Sequence, residues 1–172
     1  MAIPDEHQIV GVQILTGMGW ISGSVHLSQG QGLLPHLNAD TALLSLTKVV
    51  LPERGTDVDF LALAKSTISL LVPVVEAPLG EREPERPIDH HVNCLLAAGR
   101  VSGLLRGPGA TRLSDYLRDH RGFLVLRHAT LYDLGEERAE RRIPLIIVND
   151  RALTAVTEWL AEGWSPGGHP PK

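Results

Sequence analysis

Aromatic residues are nearly absent. Phe, Trp and Tyr together make up 4% of the 172 residues. Any core must therefore be aliphatic, and a hydrophobic content of 43% is enough to build one. Cysteine is scarcer still, since Cys94 stands alone. That excludes an intrachain disulfide and a Cys-rich zinc site. Cys94 sits in the apolar run "VNCLLAAG", which reads as an inert buried thiol rather than a nucleophile. Long apolar runs are missing too. No stretch nears the ~18 apolar residues of a membrane span. "MAIPDEHQIV" has neither the basic start nor the apolar stretch of a secretory signal. The expectation is a soluble cytoplasmic protein with no membrane partner.

A surplus of positive charge is also lacking, because the net charge is −4. A dedicated nucleic-acid binder carries a basic footprint. The charge is unevenly spread, however. Residues 1–90 hold 5 Lys and Arg against 11 Asp and Glu, and residues 91–172 hold 11 against 9. Attraction between the halves, within or between chains, follows from that division.

What is present is a repeat. "GWISGSVHL" (19–27) and "GRVSGLLRG" (99–107) lie 80 positions apart. At that offset Val12 meets Val92, Leu15 meets Leu95, and Ser22-Gly23 meets Ser102-Gly103. Leu33 and Leu37 meet Leu113 and Leu117, and Leu46 meets Leu126. The match needs no gap from residue 12 to residue 51. The second copy then carries about five extra residues within "DLGEERAERRIP", after which "FLALAKSTISLL" lies over "LIIVNDRALTAV". Such regular self-similarity is the mark of a duplicated structural unit.

Each copy reads as short strands. "QIVGVQILTG" and "HVNCLLAAG" are apolar, β-branched and closed by glycine. In the next stretch Ile21, Gly23, Val25 and Leu27 alternate with Trp20, Ser22, Ser24 and His26, one face in and one face out. Gly23 and Gly103 fall on the apolar side, where glycine marks a bend or a close backbone approach. Leu113, Tyr116 and Leu117 have helical spacing, so a turn or two of helix follows, with Ser114 or Thr111 placed to cap it. In the third strand the apolar parity switches, from Leu44 and Leu46 to Val49 and Leu51, and from Leu124 and Leu126 to Ala129 and Leu131. A bulge or sharp bend does this. A hairpin then turns near Ala64–Ser66 and near Asn149–Arg151. "EAPLGEREPERPIDHH" reads as an exposed linker, and "WSPGGHPPK" as a disordered tail.

Strand, glycine turn, glycine-bearing strand, bent third strand and closing hairpin make up a layout that resembles the Sm-like fold. In the second copy "GRVSGLLRG" is similar to that family's second strand, "FLVLRHATLYDL" to its third, and "IPLIIVNDRALTAV" to its fourth and fifth. The resemblance implies two tandem, internally duplicated, small bent β-barrels: a mainly β chain with a short helical turn after each second strand. Residues 7–76 form the first unit, 77–89 the linker, 90–160 the second unit, and 161–172 the tail. The "RLSDYL…FLVL…IPLIIVN" string also resembles small bacterial domains of no assigned role. The family's RNA-binding Asp and Asn do not stand here: "GPGATRLSDYLRDHRG" replaces their short loop, and "AKST" and "NDRA" replace the Arg-Gly turn. The family's opening helix has no room before Gln8.

Chemistry is thin. Asp89-His90-His91 is the densest run of metal-ligand types, yet adjacent strand residues point to opposite faces, so the two imidazoles do not share one ion. Ser114, Asp115 and His120 fit no nucleophile elbow. No metal, cofactor or catalytic residue is expected. The outward positions of the second strands are the candidate binding face: Trp20 and His26 in one copy, Arg100 and Arg106 in the other, with Arg112 nearby. An exposed Trp marks an interface. The expectation is a non-enzymatic binding or assembly module. Its partner is itself or another protein, and its open edges pair into an oligomer, specifically a trimer forming a pseudo-six-fold ring. The alternative is RNA or DNA binding through the Arg-rich face of the second unit.

Overall fold

The computed structural model describes residues 8–53, 55–132 and 140–159. The expected tail and most of the inserted stretch lie outside the described residues. The first half contains β1 (Gln8–Thr16), β2 (Gly19–Leu27), α1 (Leu33–Asn38), β3 (Leu43–Val50), β4 (Asp57–Ala64), a 3₁₀ turn (Lys65–Thr67) and β5 (Ile68–Pro73). The second contains β6 (Pro87–Leu96), β7 (Gly99–Pro108), α2 (Leu113–Asp119), β8 (Phe123–Tyr132), β9 (Arg141–Asn149), a 3₁₀ turn (Asp150–Ala152) and β10 (Leu153–Trp159). Equivalent elements are offset by 80 residues through β3 and β8, and by 85 from β4 and β9 onward.

Strand pairing repeats along with element order. Leu15 lies opposite Trp20 in β1–β2, and Leu95 opposite Arg100 in β6–β7. The register slips between Ser22 and Ser24, and again between Ser102 and Leu104. The parity switch has a backbone cause at each site. Lys48 (φ 49°) and His128 (φ 48°) are left-handed residues inside β3 and β8, and each re-aims the side chains beyond it. Gly23 and Gly103 lie beside these bends. A Cβ on Gly103 would sit 3.1 Å from the Arg127 carbonyl oxygen, and one on Gly23 would sit 3.2 Å from Val49 Cγ2.

Two separate closed barrels do not form. Among the described residues, all ten strands belong to one open antiparallel sheet, ordered β10-β6-β7-β8-β9-β5-β1-β2-β3-β4. The outer edge of β5 pairs with β9 of the other half, with Leu70 opposite Val148 and Leu71 opposite Ile147. β4 and β10 end the sheet, each hydrogen-bonded to one neighbour. The central strands are buried on both faces. Phe123, Val125 and Ile147 pack into the first half's core, while Leu124, Ile146 and Val148 pack into the second's. Continuous apolar runs such as "FLVL" (123–126) and "LIIV" (145–148) are what such strands need.

The linker is a strap rather than a free connection. Leu33 and Leu34 donate to the Pro78 and Leu79 carbonyls, at 2.8 and 2.9 Å. Ala77 and Leu79 pack on the first core, and Glu81 forms an ion pair with Arg127. β6 begins at Pro87, ahead of the expected start of the second unit. α1 and α2 stand where short helical turns were expected, but Arg112 is the N-cap of α2 and no side chain caps it. Neither Thr111 nor Ser114 takes that role. β10 runs as strand past Val156 to Trp159.

Candidate functional site

The joint between β9 and β5 is the most elaborated feature of the molecule. Leu15, Leu70 and Val72 of the first half are buried in the second core, with Trp20 packed against it. Phe123, Val125 and Ile147 cross the other way, with Leu145 against the first core. Trp20 is therefore half-buried at the joint, not exposed as its strand parity implied. Parity separates the two faces of a strand, but the outward face of β2 near its start is covered by the other half.

The same positions recur at the two ends of the sheet, with no partner strand among the described residues. On the β4 side, the equivalents of Phe123, Val125, Leu145 and Ile147 are Leu43, Ser45, Phe60 and Ala62. On the β10 side, the equivalents of Leu15, Trp20, Leu70 and Val72 are Leu95, Arg100, Ala155 and Thr157. All eight are exposed. Among the large ones, Leu43 is 53%, Phe60 61% and Leu95 37% exposed. The sequence carried a signal for this asymmetry. "LLSL", "LAL" and "AVT" in the outer strands are broken by small or polar residues where "FLVL", "IIV" and "LLV" are unbroken.

Polar contacts also cross the joint. Asn149 Nδ2 donates to the Ile68 and Lys65 carbonyls at 2.8 and 3.2 Å. The Phe123 N–H donates to Asn38 Oδ1 at 2.9 Å, and Arg141 Nη2 to Gln13 Oε1 at 3.0 Å. A cavity of about 550 Å³ opens beside these bonds, lined by Asn38, Asp40, Lys65, Arg121, Asp150 and Arg151 among others. Lys65 is held against its wall by the His36 and Ala39 carbonyls and Thr41 Oγ1, at 3.2, 3.0 and 2.8 Å. Burial lowers its pKa, opposed by Asp40.

The remaining candidate residues are dispersed. His26 is exposed, with Nε2 2.7 Å from Thr47 Oγ1. Arg100 lies over the Tyr132 ring, 4.2 Å from its centre. Arg106 shares its face of β7 but is engaged by Asp89 at 3.0 Å and Glu83 at 3.3 Å. That bond holds the Asp89 carboxyl below its ordinary pKa. Arg112 is exposed at the start of α2. Arg118 pairs with Asp115 and Asp119, and Arg121 donates to the Arg118 and His120 carbonyls. The Arg-rich face is thus largely matched by carboxylates and carbonyls.

His90 is not in a solvated linker. It is buried in β6 with Nδ1 2.6 Å from Glu158 Oε1 of β10, while His91 points outward. Ser114 and Asp115 stand on α2, and His120 Nε2 lies 3.3 Å from the Phe123 carbonyl oxygen. Cys94 is buried in the second core, and burial pushes its thiol up to about 12. No helix among the described residues is long and apolar enough to cross a membrane. No family model, curated protein or solved structure matches the chain.

Proposed function

We propose that the chain is a non-enzymatic assembly module that joins copies of itself edge to edge, β4 of one copy meeting β10 of the next. Each half is an Sm-like unit arisen by duplication, and the β9–β5 joint is the first such contact, made within the chain. One observation carries the reading. Leu43, Phe60 and Leu95, exposed at the two ends, are the equivalents of Phe123, Leu145 and Leu15, which the joint covers. Shifting the internal register by 85 residues sets Leu63 opposite Ala155 and Ala62 opposite Val156 between chains. Unpaired edges with apolar flanks invite strand addition. A head-to-tail contact of this kind closes into a ring when its rotation allows, and three copies give a pseudo-six-fold ring. The smaller outer residues make the contact between chains weaker than the internal one.

Size-exclusion chromatography with light scattering tests this across a concentration series. The expected species has three times the chain's mass at high concentration and dissociates on dilution. A clean monomer at the highest concentration refutes it. RNA or DNA binding through the second unit's arginines has less support, since Arg106, Arg118 and Arg127 are already paired with carboxylates. Saturable RNA binding at low salt that weakens steeply as salt rises would favour that reading instead.

A further inference from the structure

We infer that Asn149, Asn38 and Gly122 form a polar latch that marks the internal joint, so that a joint between chains is a latch-free version of the same contact. The latch belongs to the single chain; only its consequence for copies rests on the assembly reading above.

The buried member is Asn149, 3% exposed at the end of β9. Its Nδ2 bonds two carbonyls of the other half, while its Oδ1 accepts from the Arg151 N–H at 3.1 Å and so fixes the amide's orientation. From the opposite side Asn38, the last residue of α1, accepts the Phe123 N–H. Gly122 permits that approach. Its φ is +103°, and a Cβ there would collide with Asn38 Oδ1.

At the outer ends all three positions differ. Asn149 becomes Ala64, Asn38 becomes Arg118, and Gly122 becomes Ala42. Ala64 has no side-chain donor. Arg118 has no acceptor and is engaged by Asp115. Ala42 carries the Cβ that Gly122 lacks. The ends therefore retain apolar parts of the joint and lack these polar ones. A β4 strand from another copy competing for β5 would set Ala64 against the Lys65 and Ile68 carbonyls, which would lose their side-chain donor. A lost partner of this kind is costly when buried. The latch thus selects β9 for β5 and leaves β4 and β10 as the ends where whole copies are added or lost.

Two experiments together test it. In the first, Ala64→Asn, Ala42→Gly and Arg118→Asn install the latch at the outer ends, with Ala64→Asn alone as the milder variant. Sedimentation velocity over a dilution series should show association about 10-fold tighter than wild type, the worth of one or two net hydrogen bonds. Wild-type association with no change in either variant overturns the inference. In the second, Asn149→Ala and the more exposed Asn38→Ala are followed by amide hydrogen exchange in the otherwise unaltered chain. Exchange should rise several-fold in β5 and β9, with β2 and β7 unchanged. Unchanged β5 and β9 amides overturn the latch whatever the oligomeric state. If wild type and grafted variants are all monomeric, the assembly reading fails and the exchange experiment alone decides the latch.

Discussion

Replacing Gly103 and Gly23 with alanine, one at a time, compares two equivalent positions whose surroundings differ in one physical respect. A Cβ on Gly103 would meet the Arg127 carbonyl oxygen at 3.1 Å, Leu126 Cβ at 3.2 Å and Ala129 Cα at 3.4 Å. The oxygen and Cα are backbone atoms of the bent β8 and the Cβ is fixed to that backbone, so all three move only if β7 and β8 separate. A Cβ on Gly23 would meet Val49 Cγ2 at 3.2 Å, Leu46 Cβ at 3.4 Å and the Thr47 carbonyl oxygen at 3.5 Å. Its closest neighbour is a methyl group at the end of a side chain. Overpacking of this sort costs ~1–3 kcal/mol. Against it, Gly→Ala at an ordinary φ gains ~0.4–1 kcal/mol through the unfolded chain. Gly103→Ala should therefore destabilise by about 1–2 kcal/mol, while Gly23→Ala stays within about 1 kcal/mol of wild type. Urea unfolding of both variants at one protein concentration measures the difference. A Gly23→Ala loss equal to or larger than that of Gly103→Ala would refute the close-approach account of these glycines.

Other substitutions probe the ends, the bends and the titrating groups. Phe60 is 61% exposed; a Phe carrying ~150–250 Å² leaves roughly 100–150 Å² to bury, worth at most ~3–4 kcal/mol. Phe60→Ser should weaken self-association at least ~10-fold while shifting the thermal midpoint little, and an unchanged dilution profile counts against the proposed contact. Lys48→Val and His128→Val should each cost ~1–2 kcal/mol although both sites are exposed, because a β-branched residue tolerates left-handed backbone poorly. Chemical denaturation detects this, and neutral variants would show that the bends are not set by those φ values. Cys94, raised to about 12 by burial, should react with a thiol reagent at pH 8 far more slowly in the native chain than in urea. Rapid native labelling would contradict its burial. Burial first, and the Lys65 ammonium second, hold the His36 imidazole below its ordinary 6.5. The neutral form is favoured by folding, so the stability it carries is present above pH 6.5 and lost as pH falls through the lower folded value. His36→Gln should reduce the drop in urea midpoint between pH 7.5 and 5.5, and an equal drop in both proteins refutes that origin.

Candidate residues were legible to different depths for identifiable reasons. Cys94 was readable as buried because its neighbours in sequence are its neighbours in the core. The expected exposure of Trp20 fails because alternation along β2 says which side of the sheet a residue takes, not whether another half of the chain covers that side. Arg106 reads as an outward candidate for the binding face, but its partners Asp89 and Glu83 lie 17 and 23 residues earlier, on β6 and the strap. Asn38 carries no local signal, and Asn149 reads only as the start of a hairpin turn. The clue was comparative, since each departs in residue class from its equivalent, Arg118 and Ala64.

Short strands, glycine turns, the bend in each third strand and the 80-residue spacing were all readable from the amino-acid sequence. These depend on chemistry within a few residues: period-two alternation, glycine where a backbone approaches, and a parity switch where the strand turns. The pairing of β5 with β9 is set by tertiary contacts, in an open sheet whose ends among the described residues are β4 and β10. β4 and β9 are close relatives by pattern, so local rules cannot choose between them. Residues far apart in the chain meet there: the β9–β5 joint has a buried amide on Asn149 and a missing Cβ on Gly122, where the equivalent positions of the first half are Ala64 and Ala42.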